Sequence, residues 1–201
     1  MKENIIRLTK EHIKSAGEVL SRALYGDPMT IHVLPDNTER KLKLHHVYQM
    51  LMCLGVIWGE VYAISPNLEG ITVWIPYKTY KEYKFRALRC SIKARLNKLG
   101  RGAGKRFKPI DKYNAEAHKE FAPNEHWYLQ VIGVDPQNQG KGYGSTLMKY
   151  MLEKIDEHKV PVYLETSTEK NIKFYEKFEF KVMKEAIIPD TRVPAYYMLR
   201  K

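Results

Sequence analysis

Residues Val131 to Gly144 read V-I-G-V-D-P-Q-N-Q-G-K-G-Y-G and constrain this chain more than any other segment. An apolar run meets a polar Asp-Pro turn, and glycines at 140, 142 and 144 then open an amphipathic stretch. The pattern predicts strand, turn and helix in immediate succession. Glycine carries no Cβ, so its backbone approaches a ligand closely. The first helical turn adds uncommitted N–H groups and a partial positive charge. Together they form a cradle for phosphate or pyrophosphate.

A chain of 201 residues has room for one domain with a sizeable core, so residues 1–201 are read as a single unit. Its two cysteines, Cys53 and Cys90, fall in no C-x-x-C or zinc-ligand pattern and are expected as reduced packing residues. The N-terminus shows no charged-then-apolar signal segment, and the apolar run Val47 to Trp58 is too short to span a bilayer. A cytoplasmic protein is expected. The net charge of +11 is local: residues 78–112 hold 13 Lys or Arg against two acids.

Periodicity predicts a strand at 5–8 and a helix from Thr9 to about Leu24. A second helix begins at Asp36, with Val47, Met50, Leu51, Leu54 and Trp58 as its apolar face. Residues 60–64 and 71–75 read as a hairpin. A basic helix spans about 78–99 with a stripe of Phe85, Leu88, Ile92, Leu96 and Leu99. Gly100, Gly102 and Gly104 break it, and a short helix follows near 111–121. The central strand 127–134 feeds the glycine turn, whose helix buries Leu147, Met148, Met151, Leu152 and Ile155. A strand at 161–166, a helix at 170–178 and strands near 180–188 and 195–199 complete the chain. The class is mixed α/β, largely antiparallel, with one βαβ unit.

Three glycine motifs compete for the turn. A P-loop requires Ser or Thr after the lysine, and Gly142 follows Lys141 instead. A dinucleotide fingerprint requires G-x-G-x-x-G, whereas the spacing here is G-x-G-x-G, although Glu165 lies where a ribose-binding acid belongs. The third pattern, Q-x-x-G-x-G, is matched by Gln139, Gly142 and Gly144.

With that third pattern the chain resembles the GNAT superfamily of acetyl-CoA-dependent N-acetyltransferases. His126-Trp127-Tyr128-Leu129, Gly133-Val134-Asp135-Pro136, Gln139-Gly140-Lys141-Gly142, Leu164-Glu165-Thr166-Ser167, and Asn171 with Phe174-Tyr175-Glu176 recur in this order in one branch. That branch includes puromycin N-acetyltransferase and bacterial and fungal relatives. Coverage is strongest from His126 to Phe180. One departure concerns helix termination: Glu179 stands where the family has glycine before the last Phe.

The resemblance implies a GNAT fold: a central, twisted, mixed but mostly antiparallel sheet of about six to seven strands flanked by helices. It implies a V-shaped cleft in which acyl-pantetheine lies against Ile132, Gly133 and Val134. The pyrophosphate falls to Gln139, Gly140, Lys141, Gly142, Tyr143, Gly144 and Ser145, and Asn171 contacts the coenzyme, with a helix N-cap or an exposed polar residue as its structural alternative. Tyr175 is the implied general acid, since a phenol stays protonated at neutral pH and can donate to a thiolate. Acetyl-CoA is the implied co-substrate, with no metal; His45 and His46 point roughly 100° apart on a helix and cannot share one. The acceptor is a small-molecule or protein amine, and the oligomeric state stays open between monomer and homodimer.

No general base is assigned. Glu165 reads as orienting water or amine, or as a solvated strand-end acid. Glu116 and His118 read as surface helix residues, with reach to the acceptor site as the alternative. Segment 78–112 reads as a solvated amphipathic helix, an anion-seeking surface, or a nucleic-acid or ribosome contact. The last supplies the competing functional class, a binding protein with little or no turnover. Tyr175→Phe is expected to lower kcat at least roughly tenfold with little change in acetyl-CoA affinity; wild-type turnover in steady-state assays would remove the acid assignment.

Overall fold

The computed structural model describes residues 5–80 and 83–201, with residues 80 and 83–85 known through their backbone alone. The Phe85 side chain, expected in the basic helix's stripe, lies outside the described set. β1 (Ile6–Arg7) leads through a short 3-10 turn into α1 (Ile13–Ala23). Asp27 caps α2 (Pro28–Val33), accepting the Met29 and Thr30 backbone N–H groups at 2.9 and 3.3 Å. The sequence reading treats this helix as a turn, although an Asp cap with Pro at the first position is a helix start. Asp36 caps α3 (Asn37–Trp58) as expected, accepting from the Glu39 N–H at 2.7 Å.

The hairpin β2 (Glu60–Ala63) and β3 (Gly70–Pro76) follows, then α4 (Tyr77–Tyr80), α5 (Tyr83–Lys93) and α6 (Gly100–Phe121). β4 (Trp127–Val134), α7 (Tyr143–Asp156) and β5 (Val162–Thr166) form the βαβ unit. α8 (Glu169–Glu176) and the hairpin β6 (Lys181–Ile187) and β7 (Pro194–Arg200) complete the chain. Among the described residues the strands form one seven-stranded sheet, ordered β1-β2-β3-β4-β5-β7-β6. Only the β4–β5 pair is parallel. One face carries Ile71, Val73, Tyr163 and Tyr197 against α1, α3 and α6; the other carries Trp74, Leu129, Leu164 and Met198 against α7 and α8. The five apolar residues expected inside α7 are all buried. No described helix is long and apolar enough to cross a membrane.

Four expectations fail, each through tertiary packing. α3 is covered by α1, α5 and the sheet, so its buried set is Arg40, Leu44, His46, Tyr48, Met52, Cys53, Leu54 and Gly55 rather than one stripe. In α5, Leu88 and Ile92 are 59% and 71% exposed, while Cys90 and, just past the helix end, Ala94 are buried. The inner face carries the small side chains, which permits close approach to α3. Cys53 and Cys90 are not free thiols: they form a disulfide between α3 and α5, with Cα atoms 5.7 Å apart. Finally, α6 runs through Gly102, Gly104 and Pro109 as one helix. Each glycine weakens a helix by about 1 kcal/mol, but burial of Ala103, Ile110, Ala117 and His118 outweighs it. The true breaks are Arg95 and Gly100, which adopt φ of 55° and 81°.

α8 ends in a Schellman motif. The Phe180 N–H donates to the Tyr175 carbonyl, the Glu179 N–H donates to the Glu176 carbonyl, and the Tyr175 and Phe180 rings meet at 5.9 Å. Glu179 holds the left-handed position at φ 66°. Glu179→Gly is therefore expected to raise stability by about 1 kcal/mol in chemical denaturation, despite losing a surface contact to Arg200. Breaking the 37-residue disulfide link by Cys90→Ala is expected to cost about 3–4 kcal/mol. Full alkylation of both cysteines in unreduced, denatured protein would show the link absent.

Candidate active site

A register shift in the sheet builds the site. Val73 faces Val131 and Trp74 faces Leu129, so Gln130 is one residue extra on β4. A bulge of this kind bends its strand and sharpens its twist. On the opposite edge β4 pairs with β5 only where Trp127–Leu129 lie against Val162–Leu164. Beyond that point β5 continues through Glu165 and Thr166 on β7, while residues 131–134 of β4 pair with β3 alone. The two parallel strands part, leaving a V-shaped cleft.

The glycine turn lies at the open end of the V. Asp135 fixes its start: Oδ2 accepts Arg22 Nε and Nη2 at 3.0 and 2.6 Å, and Oδ1 accepts the Gln137 N–H at 3.2 Å. Gly140 and Gly142 adopt φ of 80° and 86°, and nothing within 4 Å fills the space a Cβ would take. α7 then starts at Tyr143 with Gly142 as N-cap, which has no side chain to cap the first-turn N–H groups.

The residues named from the sequence gather on two walls. Ile132, Gly133 and Val134 lie on the β4 edge, and Gln139 to Ser145 follow the turn into α7. Gly133 also has a packing duty, because a Cβ there would sit 2.8 Å from Leu20 of α1. Gln139 Nε2 donates to the Val134 carbonyl at 3.2 Å, and Lys141 Nζ donates to Asn138 at 2.7 Å. Asn171 is not the cap of α8, which is Thr168; its amide donates to Thr166 Oγ1 at 3.0 Å, on the β5 wall. Tyr175 is 5% exposed, and no hydrogen bond from a described residue reaches its hydroxyl. Burial first, then the nearby Asp27 carboxylate, raise its pKa and keep the phenol protonated. Asp27 itself ties the α1–α2 turn to the end of β5 by accepting from Ser167 Oγ at 2.6 Å.

A polar cluster left unassigned by sequence occupies the vertex. Glu165 is the first β5 residue past the last pairing with β4, and its side chain is 12% exposed. Tyr128 Oη donates to its Oε2 at 2.8 Å. Burial raises the Glu165 pKa to about 7, the Tyr128 and Tyr163 hydroxyls oppose the shift, and Asp111 adds to it. His118 of α6 is 1% exposed, not a surface residue, and its Nδ1 lies 3.9 Å from Glu165 Oε1. Its Nε2 is 2.7 Å from Nε2 of His126, whose Nδ1 is 2.7 Å from the Asn124 carbonyl. Burial lowers both imidazoles, His118 to about 2. Glu116 remains on the surface, 3.9 Å from Lys112. No group of His, Cys, Asp or Glu among the described residues could hold a metal ion.

The arrangement can be compared with known proteins. Residues 109–182, which include α7, β5 and α8, match the family model of the acetyltransferase (GNAT) domain. The solved histone acetyltransferase HPA2 and related acetyltransferase of Corynebacterium glutamicum superimposes with a TM-score of 0.69 at 18% identity, covering 100% of this chain and 96% of that one. The fold is that of the GNAT acetyltransferases. Arylalkylamine N-acetyltransferase 2 of Aedes aegypti shares it with a TM-score of 0.61 at 14% identity and 98% coverage of both chains. An uncharacterized N-acetyltransferase of Schizosaccharomyces pombe is 26% identical over 204 residues, 97% of this chain and 82% of the relative. The GNAT match and this relative support an acyltransferase enzyme.

Proposed function

We propose that this protein transfers an acetyl group from acetyl-CoA to a primary amine of a small molecule or protein by direct attack in a ternary complex. The observation that carries the reading is the parting of β4 and β5 at Gln130, with the glycine cradle at the open end and Glu165 at the vertex. The cleft suits acetyl-CoA: a strand edge for pantetheine, and a helix start without a side-chain cap, flanked by open glycine surfaces, for pyrophosphate. Ile132, Gly133 and Val134 would hold the pantetheine arm. Gln139, Gly140, Lys141, Gly142, Tyr143, Gly144 and Ser145 would hold the phosphates, and Asn171, tied to Thr166 on the β5 wall, would contact the coenzyme. Bound there, acetyl-CoA supplies a thioester-activated acyl group.

The chain's own groups handle the protons. Glu165, held near neutrality by burial, accepts the proton of the incoming amine. Tyr175, protonated and free of protein hydrogen bonds among the described residues, donates to the departing sulfur. The motifs from His126 to Glu176 support placing the chain in the branch that includes puromycin N-acetyltransferase. Neither the family match nor the relative favours the alternative of a nucleic-acid-associated protein without turnover.

Acetyl-CoA is expected to raise the melting temperature in a thermal-shift assay, and an amine panel with free-thiol detection identifies the acceptor; no stabilisation by acetyl-CoA would defeat the proposal. Because Glu165 must be ionised to accept a proton, kcat/KM is expected to rise with pH through about 7. Glu165→Gln should abolish that limb and lower kcat/KM by roughly 10²–10⁴-fold. A variant that keeps both rate and limb rules Glu165 out as base.

A further inference from the structure

The direction of each hydrogen bond in the vertex cluster follows from one fixed point. The Asn124 carbonyl can only accept, so the His126 nitrogen 2.7 Å from it, Nδ1, carries a proton. Burial keeps His126 neutral, so its Nε2 is a lone pair. His118 Nε2, 2.7 Å away, must then be the donor. His118 is also neutral, which leaves a lone pair on its Nδ1, the atom 3.9 Å from Glu165 Oε1. A backbone carbonyl at the foot of β4 thus dictates which face of an imidazole looks at the carboxylate in the cleft.

We propose that His118 and His126 are positioning residues that lock a tautomer chain from Asn124 to Glu165, and that this chain sets Glu165 as a base by denying its carboxylate an imidazole N–H. A lone pair facing a carboxylate repels the anion, whereas an Nδ1–H there would donate to it and make it a weaker base. Among the described residues, the other groups facing Glu165 leave this control in place. Tyr128 from β4 and Tyr163 beside it on β5 stabilise the anion, Asp111 from α6 disfavours it, and Tyr197 from β7 is itself raised by burial and by Glu165. His118 is the imidazole among them, and its proton placement is decided by His126. The function assigned to this chain, a base of near-neutral pKa, rests on the acetyltransferase reading; the tautomer chain does not.

The test reads the protons directly. In the full-length protein labelled with ¹⁵N-histidine, long-range ¹H–¹⁵N correlations at pH 7 are expected to show both rings neutral, His126 protonated on Nδ1 and His118 on Nε2. A cationic His118, or a His118 proton on Nδ1, overturns the proposal. The Glu165 carboxyl, followed by ¹³C NMR and identified by its loss in Glu165→Gln, provides the second readout. In His126→Leu, His118 is released to turn an N–H toward Glu165, and the midpoint should fall by about one pH unit or more. In His126→Gln, the side-chain amide can donate to Asn124 and accept from His118, so the wild-type midpoint should be kept even if the leucine variant does not fold. A midpoint unmoved in a folded leucine variant, or lowered in the glutamine variant, sinks the idea. Both readouts are independent of turnover. Absent acetyl transfer with the expected tautomers would defeat the functional reading alone, and normal transfer with the wrong tautomers would defeat this one alone.

Discussion

The extra residue at Gln130 is the constraint on which the rest of this structure depends. A parallel pair normally continues as long as both strands do, because each added residue satisfies backbone groups on both sides. Here β4 follows β3 through the register shift while β5 follows β7, so the two strands part at the bulge, after the pair Leu129–Leu164. The separation leaves a strand edge inside the molecule with polar backbone groups to satisfy, a strong reason for an extended ligand to occupy it. It also places whatever side chain follows Leu164 at the apex, and that side chain is Glu165.

The periphery of the cleft is held by polar ties between distant segments. Arg22 grips Asp135, Asp27 accepts from Ser167, and Asn171 reaches Thr166. These contacts join α1, the glycine turn, the end of β5 and α8 without filling the V. The buried cluster behind the apex does different work. Glu165, His118 and His126 are ionisable groups in a place where charge is costly, and burial drives all three toward neutrality. A neutral, hydrogen-bonded cluster is compatible with a packed core, and a carboxyl held near pH 7 is what proton transfer from an amine requires.

The basic segment 78–112 illustrates why charge patterning alone is a poor guide to orientation. Its apolar stripe of Leu88 and Ile92 suggests a buried face, but the disulfide and the small residues Cys90 and Ala94 turn another face toward α3. Helix periodicity says that a helix has an apolar side; it does not say whether closer packing is available through a different one. The same limit applies to α6, where glycines and Pro109 look like a break until the burial of Ile110 and His118 is known.

The sequence by itself determined the strand–turn–helix at 131–144, because positive φ at Gly140 and Gly142 and the periodic burial of α7 are local demands met by local residue choice. It also determined the caps at Asp36 and the order of strands and helices from 127 onward, which are read from neighbours within a few residues. Glu179 is the exception: its left-handed φ of 66° carries no local signal in a glutamate, and only the resemblance pointed to helix termination there. What only the tertiary structure decided is everything that joins residues far apart. His118 and His126 are separated by the end of α6 and a loop, Tyr128 and Glu165 by a whole helix and strand, and Cys53 and Cys90 by a hairpin and part of a helix. Their meeting depends on which helix face is buried and where two strands part, and neither quantity is encoded in spacing along the chain.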